Sequence, residues 1–525
     1  MKKIYSILSL MIGLTPSLSK AQNPPVNSFL DINNIKMSIQ SNGDIGWDNT
    51  NPTSEAPIGS GNTFLFTGNI WMGGLDEEDS LHLAANSYNY GYDYWAGPVS
   101  NIPNSDYNRS WSISREQIET HIATFGEANY IMPEVIENWP GNGDINNGEN
   151  ALLAPFKDLN NNTIYEPNLG EHPLIRGDKA VFVMYNDSDS LHANTGGAKI
   201  SAEVHVMIYA YDSESQHLNN AIFFHYEVFN RGLENYTDFK FGTFLDWDLG
   251  YYDDDFIGCD TLRNVAFVYN GHSIDQAYGS NPPSAGIISL NHKMASHMFY
   301  NNDFNPITGN PQSPMDYYNY LFAKWKNGVQ LTEGGNGTDT LSSPTNYIYP
   351  GSLSEESTWT EESANHSPAD RKMIQAEHFD HFNSGSSLCL DYAMLYARDT
   401  NNTNFENVDL LLSQVDSLQN FYDNHFTDCS ITGIDIENLD INELNSDLGI
   451  SILFNDPNWI LHQNNEQVEN VQIRLFNSLG QLIQNNTWST QSGDYLVDFN
   501  NQSKGIYFIE LSIKDMTKTY QLIVK

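Results

Sequence analysis

The sequence predicts a mainly β protein. It reads as an antiparallel, β-sandwich-like body with one packed helix, followed by a small β-sandwich at the C-terminal end. Apolar residues alternate with period two through 199–245, as they do in half-buried strands. Turn residues (Gly, Asn, Pro, Ser) recur at short spacing along most of the chain. Only 404–426 carries a sustained three-and-four spacing of apolar positions, the signature of an amphipathic helix.

At 525 residues the chain is long enough for two or three domains. Its 66 acidic and 24 basic residues give a formal net charge of -42. That balance disfavours nucleic acid and anionic membrane surfaces, both of which are held by clustered Lys and Arg. It suits divalent cations instead. At the amino end, Lys2 and Lys3 precede the apolar run Ile4 to Leu14, and small residues at Ser19 and Ala21 fit a cleavage site. Residues 1–21 therefore read as a signal peptide, and 22–430 as a secreted β-rich body. No later run of about 18 apolar residues predicts a transmembrane segment.

Within the body, Tyr88, Tyr90, Tyr92, Tyr94 and Trp95 alternate with small or polar residues. Such a ladder is either core or a sugar-stacking stripe, and core is the expectation. Ser114 begins a short helix through Ala123, with Gln117 three residues on to complete a capping box. Asp158-Leu159-Asn160-Asn161-Asn162-Thr163-Ile164-Tyr165-Glu166 places oxygen ligands at positions 1, 3 and 5, with the Ile164 carbonyl at 7. Ca²⁺ takes ligands in this arrangement. Thr163 replaces the usual Gly and Leu169 the usual closing Glu, so the loop is not an EF-hand; Glu166 or Glu171 would close it. The bland alternative is an Asn-rich turn bonded to its own backbone. The stretch Asn142 to Glu149 is a looser loop of the same kind.

Val204, Val206, Ile208 and Ala210 alternate with His205, Met207, Tyr209 and Tyr211; Ala221 to Phe229 repeats the pattern, and Phe239, Phe241, Thr243 and Leu245 continue it. This predicts an antiparallel meander. It runs into Asp246, Asp248, Asp253, Asp254, Asp255 and Asp260, with no Lys or Arg between Lys240 and Arg263. Such repulsion is costly unless a cation or strong hydrogen bonding offsets it. Asp246, Asp248 and 253–255 are thus candidate Ca²⁺ ligands. The alternative is a secreted polysaccharide hydrolase using Asp246 and Asp248 as its carboxylate pair, and the third possibility is a solvated acidic loop. His205 and His225 lie on adjacent predicted strands without a third ligand, so no zinc site is expected. No nucleophile elbow, P-loop or dinucleotide fingerprint occurs, and no catalytic residue or organic cofactor is expected.

The helix 404–426 is expected to pack on the sheet. Cys389 and Cys429 flank it and form the expected disulfide, leaving Cys259 free. Residues 431–449 carry acids and no base, and read as an acidic linker.

Residues 450–525 alternate in short strands. Phe454-Asn455-Asp456-Pro457 forms a turn, Leu479-Gly480-Gln481 another, Gly505-Ile506-Tyr507-Phe508 opens a strand, and Lys525 closes the chain. As a set these motifs resemble the type A C-terminal sorting domain of the type IX secretion system of Bacteroidota. The departure is Phe454-Asn455-Asp456-Pro457 in place of Tyr-Pro-Asn-Pro. The body, through Pro155 to Asn160, Gly177 to Ala180 and Asp253 to Asp260, is similar to a group of large secreted proteins of the same bacteria. That likeness implies no activity. What the resemblance implies is export through the type IX secretion machinery to the medium or outer cell surface. The expected function is a Ca²⁺-stabilised adhesive or glycan-contacting protein without catalysis, with surface glycans as partners.

Overall fold

The computed structural model describes residues 24–87, 91–189, 191–355 and 357–426. Beyond these it describes the strand segments 450–455, 458–463, 470–477, 481–489, 495–497, 505–513 and 516–524. The expected signal peptide, Tyr88, Tyr90, Cys429 and the acidic linker lie outside the described residues. The fold is mainly β, and the chain divides into two units, Met1–Ile434 and Asp435–Lys525.

The first unit is built on two sheets. One has nine strands. Its path runs Asp255–Asp260, Val265–Asn270, Ser284–Ser289, Ser387–Ala397, Ala221–Asn230, Ala202–Ala210, Lys179–Asn186 and Trp95–Ala96, with Trp111–Ser114 also paired to Lys179–Asn186. The other has five strands, in the order Ser296–Asn301, Arg371–Phe382, Tyr236–Asp246, Thr67–Leu75 and Leu81–Ala85. All these pairings are antiparallel.

Ala202–Ala210 and Ala221–Asn230 pair as the alternation predicts, Val204 opposite Val228 and Val206 opposite Tyr226. The expected meander stops there. Tyr236–Asp246 leaves for the five-stranded sheet, where it lies between Thr67–Leu75 and Arg371–Phe382. Alternation records which face a side chain takes but not which strand lies beside it, and the turn at Asn230-Arg231-Gly232 carries the chain from one layer to the other. The two layers then close face to face. The Phe241 ring lies 5.4 Å from that of Tyr226 and 6.1 Å from that of Tyr392. Trp71, fully buried, stacks on Phe244 at 5.1 Å and meets Tyr317 edge-on at 4.8 Å. Aromatic pairs at these separations contribute beyond their buried area.

The helix Asn404–His425 covers the outer face of the nine-stranded sheet. Thr403 caps it through a reciprocal bond with Glu406, and Val408, Leu411, Val415, Leu418, Phe421 and Tyr422 are buried. Phe421 meets Phe223 at 6.2 Å and Tyr211 at 5.5 Å, so both faces of this sheet are covered. This explains why the supposedly opposite row of His205, Met207 and Tyr209 is as buried as the apolar one. Arg115–Thr124 is the other predicted helix, with the Ser114–Gln117 capping box formed. Tyr94, of the tyrosine ladder, is fully buried, as the core reading expects.

The second unit holds two antiparallel sheets. Ile450–Asn455, Asn458–Gln463 and Tyr495–Val497 make one; Leu482–Ser489, Asn470–Asn477, Gly505–Ile513 and Met516–Val524 make the other. Leu461 and Val497 from the first share a core with Val471, Ile473, Trp488, Ile509 and Leu511 from the second. Arg474 and Glu510, opposite each other in register, form an ion pair.

Candidate functional site

The aspartate-rich stretch is neutralised from a distance. Asp246 is the last residue of its strand and faces Lys372 on the neighbouring strand. The Lys372 ammonium bonds Asp246 and, at 2.5 Å, Asp370. Asp246 is 1% exposed and Lys372 3%. Asp248 lies two residues beyond the strand end, and one carboxylate oxygen each of Asp246, Asp248 and Asp370 lie within 4.8 Å of one another. Burial, the Asp246 charge and the Asp370 charge outweigh Lys372 and push the Asp248 carboxyl up to about 8. Asp248 therefore keeps its proton near neutral pH, beside the ion pairs of Lys372 with Asp246 and Asp370. The cation that the local sequence lacked is Lys372, 126 positions away.

The 253–255 run does not join Asp246 and Asp248 as expected; Asp370 takes that place. Asp253 is exposed. Asp254 accepts from Asn270 Nδ2 at 2.8 Å, and burial with the nearby Asp275 charge pushes it up to about 6. Asp255 is fully buried, accepts from the Leu249 N–H at 3.2 Å, and is held well above the usual carboxylate range by burial. A tight turn separates the two segments. Gly250 has φ of 89°, where a side chain would collide with the Asp275 carboxylate, and the turn folds Asp255 back onto the Leu249 N–H. Asp370 and Lys372 escaped the sequence reading because they begin a strand in a region rich in turn residues. The alternation of Lys372, Ile374 and Ala376 was the available signal.

The 158–166 loop brings its expected residues together. Asp158 Oδ2 accepts from the Thr163 N–H at 2.7 Å and Oδ1 from the Asn162 N–H at 3.2 Å. Glu166 Oε2 accepts from the side-chain amides of Asn160, at 2.9 Å, and Asn162, at 2.6 Å. Asn161 and Thr163 adopt left-handed φ of 60° and 63°, which curls the backbone around these oxygens. Burial opposes it, yet the backbone N–H groups of residues 160–163 hold the Asp158 carboxyl below its usual value. Glu171, fully buried, braces the loop by accepting from the Leu159 and Glu166 N–H groups, at 3.1 and 2.7 Å. Asn160 Oδ1 accepts from the Asn162 N–H at 3.0 Å and Asn162 Oδ1 from the Ile164 N–H at 2.7 Å, so Asp158, Asn160, Asn162 and Glu166 share one turn bonded to its own backbone. In the looser loop, Glu149 accepts from the Asp144 N–H at 2.8 Å and from Tyr107 Oη at 2.6 Å.

His205 and His225 do not meet. His205 lies opposite Glu227 and His225 opposite Met207, two positions out of register. His205 bonds Glu203 at 3.1 Å. His225 bonds Asp391 at 2.7 Å, inside a buried knot with Arg176 and Tyr422. Cys389, near that knot, is disulfide-bonded, and Cys259 is free and buried. The expected partner, Cys429, lies outside the described residues.

Both units are built on antiparallel sheets. Residues 457–525 match the family model described as the secretion system C-terminal sorting domain. The chain is thus a type IX secretion system C-terminal sorting domain-containing protein, exported to the cell surface or the medium. No curated protein matches the chain. Among solved structures it shows a likeness to one described as a polysaccharide lyase, at 8% identity over 61% of this chain and 34% of that one, with a TM-score of 0.20. The chain thus spans about a third of that protein's length, and a likeness at that level carries no argument. No helix among the described residues is long and apolar enough to cross a membrane.

Proposed function

We propose that the body of this exported protein is a Ca²⁺-stabilised contact protein, adhesive or glycan-binding, that performs no catalysis. The observation that carries the non-catalytic reading is the burial of Asp246 under its ion pair with Lys372. A glycosidase needs both carboxylates free to flank a sugar bond. Here one is sealed in the protein and neutralised, although Asp248 holds the proton that a general acid would need. That proton is the support for the rival reading, a polysaccharide hydrolase using Asp246 and Asp248.

For Ca²⁺, the 158–166 loop is the better of the two candidates. Asp158 and Glu166 supply charge; Asn160, Asn162 and the Ile164 carbonyl supply neutral oxygens. Binding requires Asn160 and Asn162 to release their Oδ1 atoms from the Asn162 and Ile164 N–H groups and their Nδ2 groups from Glu166. Asp246, Asp248 and Asp370 accept a metal only if Lys372 leaves, which makes them the weaker candidate. A thermal melt in Ca²⁺ and then in excess chelator tests the metal. A hydrolysis screen on plant and marine glycans, with Asp248→Asn as control, tests the absence of catalysis; turnover that this variant abolishes would establish the hydrolase.

A further inference from the structure

Lys372 and Asp246 differ from the other lysine–carboxylate pairs of the described residues in their burial. Their side chains are 3% and 1% exposed. The pair Lys179–Asp31, by contrast, is 23% and 42% exposed, and water solvates both charges there. Lys372 and Asp246 face each other in register on neighbouring strands, with amine and carboxyl already in contact. Tyr300, itself buried, lies opposite Lys372 on its other side, and Trp247, fully buried, follows Asp246 in the chain.

Three features of this arrangement suit a condensation. Out of water, an ammonium and a carboxylate lose the solvation that keeps them charged, and the uncharged amine and acid become accessible. The register holds the two reacting groups together, which removes the entropic cost of bringing them to one place. An acid stands beside them: Asp248 has a carboxylate oxygen within 4.8 Å of one of Asp246 and keeps its proton near neutral pH. It can relay a proton directly or through one water. Asp370 bonds the same ammonium at 2.5 Å and orients it, but at 17% exposed it is the wetter of the two carboxylates.

We propose that Lys372 and Asp246 join in an intramolecular isopeptide bond, a covalent cross-link between the strands Tyr236–Asp246 and Arg371–Phe382. The uncharged Lys372 Nζ attacks Asp246 Cγ; a C–N bond forms and one C–O bond breaks. Asp248 gives its proton to the departing oxygen and takes one back from the nitrogen. Two of the three ammonium protons leave with that oxygen as water, and the third stays on the amide nitrogen. Ammonium and carboxylate thus become amide and water, with no oxidant, reductant or further reactant. The ion pair in the structure is the state before closure. The bond closes 126 positions of sequence and ties two inner strands of the five-stranded sheet. Such a tie needs no energy source, which suits a chain that works outside the cell.

Intact-mass measurement of the full chain, reduced and denatured after incubation at neutral pH, tests it. The expected mass is lower by one water than the sequence requires, and a digest should yield one branched peptide joining the segments around 246 and 372. Lys372→Arg keeps the charge and should show the full mass. Asp248→Asn should close about a hundredfold more slowly. The wild-type mass decides the question even where a variant fails to fold. A wild-type chain at full mass would overturn the cross-link, and so would a water lost at any other place, Lys372 with Asp370 included. Closure of Asp248→Asn at the wild-type rate would overturn the relay through Asp248.

Discussion

Lys372 and Asp246 lie directly opposite each other on neighbouring strands, and their side chains form a buried ion pair, 3% and 1% exposed. One ammonium thereby neutralises the end of an aspartate-rich segment and also bonds Asp370. Lys372→Met should therefore destabilise the body by about 3–5 kcal/mol, because it leaves buried carboxylates without a counter-charge. Adding Asp246→Asn to that variant should restore part of the loss. Urea melts of the two single variants and the double variant measure the coupling; additive losses would show that the pair contributes nothing as a pair.

His192 supplies a pH dependence of known sign. Its Nδ1 lies 2.8 Å from the Leu83 carbonyl and its Nε2 2.9 Å from that of Asp187, so both nitrogens donate and the ring carries charge. Burial works against that charge, but the Asp187 hydrogen bond and the Asp187 and Asp93 carboxylates push the ring up to about 9. Its folded pKa is raised above the ordinary 6.5, so its contribution is complete below pH 6.5 and is lost as pH climbs through 9. The stability gap between wild type and His192→Gln should be about 1–3 kcal/mol at pH 6 and should shrink by pH 9.5. A gap that stays constant across that range would contradict a charged His192.

Asp391 fastens the long helix to the sheet. It accepts from Arg176 at 2.9 Å, from His225 at 2.7 Å and from Tyr422 of the helix at 2.5 Å. Burial opposes its charge, yet His225 and Arg176 hold its carboxyl below the usual range. Asp391→Ala should cost about 3–5 kcal/mol, and Tyr422→Phe about 1–2 kcal/mol as a single lost charged hydrogen bond. Hydrogen exchange should show the helix amides losing protection first in both variants.

The sorting domain predicts an outcome in cells. Deleting 457–525 in a host with type IX machinery should leave the body inside the outer membrane. Fractionation and immunoblotting of surface and medium decide it. Undiminished export of the truncated chain would contradict the role of the tail.

Much of the fold was legible because alternation and capping are local. Ser114 with Gln117 marked one helix start, and the three-and-four spacing of apolar residues the other. Layer assignment was not legible. Nothing between Asn230 and Tyr236 says that the next strand joins the other sheet. The acidic stretch misled for the same reason. Its compensating cation lies 126 residues downstream, and a search between Lys240 and Arg263 does not reach it. The 158–166 residues were found together because their ligand spacing lies within one turn of chain.

The proposed Ca²⁺ ion would hold the exported body through Asp158, Asn160, Asn162 and Glu166. Differential scanning calorimetry of the metal-stripped protein, with Ca²⁺ added and then removed by excess chelator, tests it most directly, with Asp158→Ala run alongside. The expected result is a reversible rise in Tm for the wild type, corresponding to about 2.7 kcal/mol at a hundredfold excess over Kd, with most of that rise lost in Asp158→Ala. An unchanged Tm in Ca²⁺, or an equal rise in the variant, would contradict it.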